Sequence, residues 1–286
     1  MISTRLLRRR IRSVQSTAKI TRAMEMIATA KMKRAQEQAV CGRPYSDKIS
    51  QLITDLAAIQ GTGNVLHPLM MQRDVKKIAV IHITSDKGLC GGLNANVNRL
   101  TGTFILSQQI PVTLVAIGKK GRDFMMRARR DVKAEFTKLG DHPKLFDILP
   151  ISRIVMDDYS AGRVDKVYIA YSKFVSTMTQ QPVMEQLLPA EIKASENKEK
   201  ISDYIFEPNS DFVLGELIPR YVDTKIYHAI LESIASEQSA RMVAMRNATD
   251  NAQDVLQELT LVLNKARQEA ITNELLDING GLAVLQ

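Results

Sequence analysis

The feature that most constrains this chain is a run of about 60 residues, 220–279, that contains neither glycine nor proline. The first 41 residues also contain neither glycine nor proline. Because glycine and proline are the strongest breakers of a helix interior, both ends are predicted to form very long helices. At about 1.5 Å per residue the C-terminal run would extend roughly 90 Å, against about 30 Å for a small domain. A helix of that length cannot be buried within its own chain, so we expect an axle, a stalk or a spacer.

Both end segments carry the residue spacing of a coiled coil. Apolar and small residues recur at alternating steps of three and four, with Glu25 as the one charged member of the first row. The rows are Ile11, Val14, Ala18, Thr21, Ala28, Met32, Ala35 and Ala39, then Met245, Ala248, Ala252, Val255, Leu259, Val262 and Ala266. A period of 3.5 residues is typical of a coiled-coil seam, and the alanines allow a close approach of the helices. We expect an antiparallel pair within one chain, with a homodimeric coiled coil as the alternative.

The middle of the chain alternates predicted strands with predicted helices. Runs rich in β-branched residues over 77–83, 112–117 and 166–171 predict buried strands, and 178–188 predicts one more. Helices are expected over roughly 95–109 and 148–161. A basic, helix-like run also follows the second predicted strand and extends through Arg130. This alternation predicts a small α/β domain with a largely parallel sheet. The predicted division is a helix over 1–60, a linker over 61–76, the α/β domain over 77–209 and a helix over 210–286.

The positive charge is concentrated at the N-terminus. The chain has a net charge of +8, and residues 1–48 hold 12 lysines or arginines against three acidic residues. Such a segment can face nucleic acid, an anionic membrane surface or an acidic protein, or can be a solvated helix face. Nucleic-acid binding is disfavoured because the helix has no interleaved aromatic residues and no recognisable reader module. No stretch of about 18 residues is apolar enough to span a membrane, and no apolar region of a secretory signal follows the N-terminus.

A glycine-rich stretch after the first predicted strand is the candidate active site. Residues 85–94 read SDKGLCGGLN, which could cradle a phosphate or could simply form a tight turn. The spacing fits neither of the common phosphate-binding fingerprints. Cys90 would need a general base and a lowered pKa to act as a nucleophile. Because His67, His82, His142 and His228 lack the spacing of a triad or a zinc site, we expect no catalytic, metal or cofactor site.

The C-terminal segment is unusual in polarity. Arg267, Gln268 and Thr272 cluster within about a turn and a half and offer hydrogen bonds to a partner. The tail from Gly280 to Leu285 is apolar, although most chain ends are polar and frayed. An apolar tip suggests that a partner encloses it.

Several motifs give the chain a family resemblance that extends from end to end. They are the sequences at 19–26, 30–32, 86–94, 236–245 and 264–268. With them the chain resembles the gamma subunits of bacterial F-type ATP synthases. The resemblance implies an α/β fold class, with a long antiparallel coiled coil of the N- and C-terminal helices plus a small Rossmann-like α/β domain. Two departures are Cys41, which has no family role, and Asn279, where an apolar residue is usual.

The resemblance also implies a function. It points to a non-catalytic central-stalk rotor that couples rotation of the c-ring to conformational change at the catalytic sites, and so drives ATP synthesis. The implied partners are three alpha and three beta subunits around one copy of this chain, the epsilon subunit and the c-ring. The expected location is peripheral, on the cytoplasmic face of the bacterial plasma membrane. Neither a cofactor nor nucleic acid is implied, and a stand-alone enzyme built on the glycine-rich stretch remains the alternative.

The family motifs imply three groups of contact residues. Met24, Arg267, Gln268 and Thr272 would contact the beta subunit. Leu282, Val284 and Leu285 would form the tip held in the bearing of the hexamer. A foot that contacts the c-ring and epsilon would comprise Lys31, Lys33, Arg34, Arg43, Tyr45, Tyr204, Phe206 and Glu207.

Overall fold

The ends of the chain form two very long helices. The structure is a computed structural model that describes residues 4–60, 67–190, 207 and 210–284. Helix α1 is Thr4–Gln60 and helix α5 is Ser210–Val284, and neither Pro44 nor Pro219 ends its helix. Contacts group the chain into two units, Met1–Ala28 with Met242–Gln286, and Thr29–Arg241. The predicted domain division at 60, 76 and 209 stays a prediction.

The middle of the chain forms a five-stranded mixed sheet in the order β3-β2-β1-β4-β5. The strands β1 to β4 are parallel where they pair, and β5 is antiparallel to β4. The strands are β1 Ile78–Ile83, β2 Val112–Ile117, β3 Asp131–Phe136, β4 Lys166–Phe174 and β5 Gln180–Leu188. The helices between them are α2 Leu93–Ser107, α3 Lys119–Arg127 and α4 Leu145–Ser160, and a short 3₁₀ helix covers Pro68–Met70.

The sheet is buried on both faces. Along β1, Ile78 and Val80 belong to one apolar cluster, together with Met125 of α3. Ala79 and Ile81 belong to a second cluster on the opposite face. Because successive side chains of a strand point to opposite faces, a strand buried on both sides reads as a continuous apolar run.

Helix α5 covers the face of the second cluster together with α4. Its buried residues Ile218, Val222 and Ile226 belong to the same core as Ile151 of α4. The core of the α/β domain therefore includes part of the C-terminal helix. The predicted α/β class with packed terminal helices is confirmed.

In the first unit, α1 and α5 pack along a seam of small residues. Thr21 and Ala28 of α1 are buried, as are Met245, Thr249 and Ala252 of α5. The predicted row in α5 is wrong at two positions. Val255 and Val262 are exposed, whereas Leu256 and Leu263 are half-buried. The hydrogen bond between Thr21 and Thr249 places Thr249 on the seam, and steps of three and four from Thr249 then reach Leu256 and Leu263.

In the second unit, the same two helices run antiparallel. Gly42 of α1 lies against His228 of α5, and a Cβ atom at Gly42 would be 2.8 Å from His228 Cε1. Earlier in α1, Gln36 and Ala39 share a cavity lining with Glu232 and Ala235 of α5, later in that helix. A glycine at this point allows the imidazole ring to lie directly against the backbone of α1.

Candidate functional site

Helix α5 occupies the edge of the sheet where ligands bind in many α/β proteins. In open α/β sheets the ligand crevice lies at the carboxyl ends of the parallel strands. Here Ile230, Ser233 and Glu237 of α5 line a cavity there with Ile83 and Gly118. The cavity has a volume of about 50 Å³, which holds no more than a few water molecules. The crevice is therefore filled by the chain's own helix.

The glycine-rich stretch is a tightly bonded turn rather than a phosphate cradle. Asp86 Oδ1 accepts a hydrogen bond from Lys119 N at 2.9 Å, and its Oδ2 accepts one from Lys138 N at 2.8 Å. Asn94 Nδ2 donates to Ser85 Oγ at 2.7 Å. These bonds place a carboxylate at the N-terminus of α3, where it satisfies a free backbone N–H group.

Cys90 is not placed to act as a nucleophile. Its side chain is buried, and burial raises the pKa of its thiol. The side chains within hydrogen-bonding reach are Asn94 at 3.2 Å and Ser85 at 3.9 Å, neither of which is a general base. A neutral, buried thiol is unreactive because the thiolate is the nucleophile.

His82 has a structural role. Its Nδ1 lies 3.0 Å from Thr101 Oγ1 and its Nε2 lies 2.8 Å from Asn98 Oδ1. The ring is fully buried, and burial lowers the pKa of His82 to about 4. Within the described residues, no group of three or more His, Cys, Asp or Glu side chains could hold a metal ion.

One turn of α5 carries a dense set of polar side chains in contact with the loops of the α/β domain. We call this set the polar collar. It comprises the α5 side chains Glu237, Gln238, Ser239 and Arg241 and the loop groups that they bond. Arg241 is buried and donates to Glu237 Oε1 at 2.6 Å, to Gln238 Oε1 at 3.0 Å and to Gly88 O at 3.3 Å. Burial raises the pKa of the Glu237 carboxyl, and Arg241 opposes that effect.

Two further loops belong to the polar collar. Asp141, in the loop after β3, accepts from Gln238 Nε2 at 3.2 Å through Oδ1 and from Lys31 Nζ of α1 at 2.7 Å through Oδ2. Ser239 Oγ donates to Thr177 O, in the β4–β5 turn, at 2.7 Å. In the sequence these residues fall within the family motif at 236–245, but nothing in the sequence identified Asp141 as their partner.

The predicted beta-subunit contacts are mostly exposed in this chain. Arg267, Gln268 and Thr272 are exposed on α5, and Thr272 Oγ1 donates to Gln268 O of its own helix at 2.9 Å. Met24 is half-buried on α1. Of the predicted tip, 282 and 284 lie in α5 but their side chains are outside the described part of the structure, as is all of Leu285.

The predicted foot residues fall into three groups. Lys33, Arg34, Tyr45 and Glu207 are exposed. Lys31 is half-buried and is paired with Asp141. The side chain of Arg43, and all of Tyr204 and Phe206, lie outside the described residues. The structure therefore leaves the predicted contacts of all these residues as predictions.

These features define a class of protein: an α/β domain whose ligand crevice is filled by one of two long paired helices. Comparison with known proteins then gives the family. A family model described as ATP synthase matches residues 3–285. The chain is 60% identical over 288 residues to the ATP synthase gamma chain of Dehalococcoides mccartyi strain CBDB1, with 100% of both chains covered. It is 49% identical over 289 residues to that of Roseiflexus sp. strain RS-1, with 100% and 99% covered. The chain belongs to the ATP synthase gamma chain family.

Solved structures show the same fold at lower identity. A central stalk and c-ring structure of Tetrahymena thermophila mitochondrial ATP synthase matches with a TM-score of 0.63 and 24% identity, over 80% of this chain and 99% of that chain. A Euglena gracilis mitochondrial ATP synthase structure in rotational state 3 matches with a TM-score of 0.68 and 18% identity, over 99% and 94%.

Family membership defines the general role of the chain. It is a gamma chain, the non-catalytic rotor subunit in the central stalk of an F-type ATP synthase, and it is part of that complex. Among the described residues, no helix combines the length and the hydropathy that crossing a membrane requires.

Proposed function

We propose that one copy of this chain turns inside a hexamer of three alpha and three beta subunits and transmits the rotation of the c-ring to their catalytic sites. The observation that carries this proposal is the exposure of α5 over Arg267–Leu276. Every described side chain in that stretch is exposed. A helix without cover from its own chain is only marginally stable in water, because tertiary packing supplies most helical stability, so a surrounding partner would stabilise it.

The exposed stretch and the residues just before it are suited to a surrounding protein. Leu261, Leu275 and Leu276 are 70%, 56% and 62% exposed. Clustered exposed apolar side chains mark an interaction site. Arg267 and Gln268 add donors that can bond carboxylate and carbonyl groups of a partner. Alpha and beta subunits that enclose this helix would cover both the apolar and the polar groups.

The proposed mechanism is conformational coupling. A shaft with an uneven surface contacts each of three surrounding catalytic sites differently. It can shift the conformation of a site only by the difference in its contact free energy with the two states. Met24, Arg267, Gln268 and Thr272 are the proposed contacts with the beta subunit, and Leu282, Val284 and Leu285 form the proposed tip in the bearing.

The basic start of α1 supports an electrostatic attraction between the rotor and the beta subunits. Exposed residues there include Arg5, Arg8, Arg9, Arg10 and Arg12. Attraction to acidic loops of the beta subunits acts over distance, so it can persist across a contact that moves. Because residues 49–286 hold 27 basic and 28 acidic residues, the excess positive charge belongs to residues 1–48.

The foot of the rotor is proposed to contact the c-ring and the epsilon subunit. Lys33, Arg34, Tyr45 and Glu207 are exposed and available for such contacts, and Arg43, Tyr204 and Phe206 complete the proposed set, whereas Lys31 bonds Asp141 within the chain. These contacts would hold the chain at the cytoplasmic face of the bacterial plasma membrane as a peripheral subunit.

Co-expression with alpha and beta subunits of the same source tests this function. We expect a complex with a single copy of this chain for three alpha and three beta subunits, by size and by subunit mass ratio, and ATP hydrolysis by that complex. The isolated chain should not hydrolyse ATP. Failure to form a complex with a single copy, or turnover by the chain alone, would contradict the proposal.

A further inference from the structure

In the polar collar, side chains from about one turn of α5 bond loops on different sides of the helix. Successive residues of a helix project about 100° apart. Gln238 bonds Asp141 after β3, Ser239 bonds Thr177 in the β4–β5 turn, and Arg241 bonds Gly88 after β1. The helix is therefore held by hydrogen bonds to three loops of the α/β domain within one turn.

Directional bonds add to the resistance that apolar packing gives to rotation of the helix. N-terminal to the polar collar, α5 packs on the sheet through aliphatic side chains such as Ile218, Val222 and Ile226. Close packing of these side chains also opposes rotation of the helix against the sheet, but apolar attraction itself has no preferred direction. Hydrogen bonds weaken steeply when their angle or distance changes. A helix that turned about its axis against the domain would break the bonds of the polar collar first.

Asp141 joins both long helices to the domain. One of its carboxylate oxygens bonds Gln238 of α5, and the other bonds Lys31 of α1. Gln238 is itself bonded to Arg241, which is paired with the half-buried carboxylate of Glu237. A chain of charge-assisted hydrogen bonds thus connects α1, a loop of the domain and α5.

We propose that the polar collar is a torsional lock, which keeps the α/β domain fixed on α1 and α5 so that torque on the domain turns both helices. This rests on the proposed rotor function and adds a positioning role for Lys31, Asp141, Gln238 and Arg241. None of these residues needs to touch another subunit. Weakening the lock should let the domain rotate relative to the two helices when an opposing proton gradient is high. Proton pumping would then fall relative to ATP hydrolysis.

The test uses the complete ATP synthase that carries this chain, in inverted membrane vesicles. The variants are Lys31→Met, Asp141→Asn and Arg241→Gln, and the readout is ATP-driven proton pumping divided by ATP hydrolysis, at low and at high opposing proton gradient. We expect the ratio at high gradient to fall by about two-fold for Asp141→Asn and by more for Arg241→Gln, since each loses at least one hydrogen bond. At low gradient the ratio should stay near that of the original chain.

Matched controls come from the exposed face of α4. Asp157→Asn and Arg153→Gln make the same chemical changes at exposed positions and should leave the ratio unchanged at both gradients. The double variant Lys31→Met with Asp141→Asn should lose little more than Asp141→Asn alone, because both changes break one pair. If Arg241→Gln fails to assemble, the two variants at the half-exposed pair, Lys31→Met and Asp141→Asn, decide the question.

The outcomes separate the two proposals. If the original chain pumps protons and every variant keeps its ratio at high gradient, the torsional lock is wrong while the rotor function stands. If the ratio falls equally at both gradients, the variants damage assembly, and the lock is again wrong. If the original chain in a complete complex hydrolyses ATP without pumping, the rotor function itself fails.

Discussion

Thr21 Oγ1 and Thr249 Oγ1 lie 2.7 Å apart, at the buried seam where α1 packs against α5. Each hydroxyl also lies within bonding distance of a carbonyl of its own helix, Ala18 O at 3.1 Å and Met245 O at 2.9 Å. The bond between the two hydroxyls forms in only one register of the seam, so it favours one alignment of the helices. A shaft that carries twist needs that alignment to be unique.

Replacing one hydroxyl of this pair should cost stability. We expect Thr21→Val or Thr249→Val to lower the free energy of unfolding of the purified chain by about 1 kcal/mol, the net value of one buried hydrogen bond. The double variant should cost clearly less than the sum of the single variants. Chemical denaturation gives these values. Thr17→Val is the control, since Thr17 is exposed and bonds only its own helix; additive effects at 21 and 249 would argue against the bond.

Gly118 should tolerate no side chain. Its φ is +89°, and a Cβ atom there would lie 2.0 Å from the backbone oxygen of Thr84. We expect Gly118→Ala to destabilise the chain by about 3 kcal/mol or more, because the left-handed strain and the clash add. Gly102→Ala is the control, and it should change the stability in the opposite direction. Gly102 lies inside α2 with no atom within 4 Å of the added Cβ, so the change should stabilise by about 0.5–1 kcal/mol. Thermal unfolding measures both.

The buried imidazole of His82 should make stability depend on pH. Its pKa is lowered from 6.5 to about 4 in the folded chain, so the unfolded chain binds the proton more readily. The contribution of His82 is fully present above about pH 6.5 and is lost as the pH falls towards about 4, on the order of 3 kcal/mol in total.

His82→Gln should reduce this slope. Denaturation between pH 7 and pH 4 is the measurement, and the exposed His142→Gln is the control. An unchanged slope in His82→Gln would show that His82 is not the group responsible.

Removing the end of α5 should leave the α/β domain folded. A chain that ends at Ala266 loses only residues whose described side chains are exposed, so the unfolding free energy of the rest should change by less than about 0.5 kcal/mol. Torque or assembly with alpha and beta subunits should be weakened. The triple variant Arg267→Ala, Gln268→Ala and Thr272→Ala separates the predicted contacts from helix length. Global unfolding of the truncated chain would contradict a separately stable domain.

Much of the fold followed from local sequence patterns. The apolar runs that predicted β1, β2 and β4 are buried strands, because strands covered on both faces need apolar residues throughout. The edge strand β3, Asp131–Phe136, was not predicted. Its alternate residues are exposed and charged, so it has only half of the apolar signal, and it follows a basic helix without a clear break.

The polar collar was less accessible to sequence reasoning. Gln238 and Asp141 are 97 residues apart, and Arg241 and Gly88 are 153 apart. A local pattern shows that polar residues interrupt α5 but does not show which loops reach them. The same limit applied to the pair of Lys31 with Asp141, which are 110 residues apart.

Rotation of a single molecule tests the central claim most directly. Cys41 is exposed and Cys90 is buried with a raised thiol pKa, so a maleimide-linked rod should attach at Cys41 without engineering. With the alpha and beta subunits fixed to a surface, the rotor account predicts that ATP drives the rod in one direction, in steps of about 120° set by three equivalent sites. A rod that stays still, or moves at random, while the same complex hydrolyses ATP would contradict it.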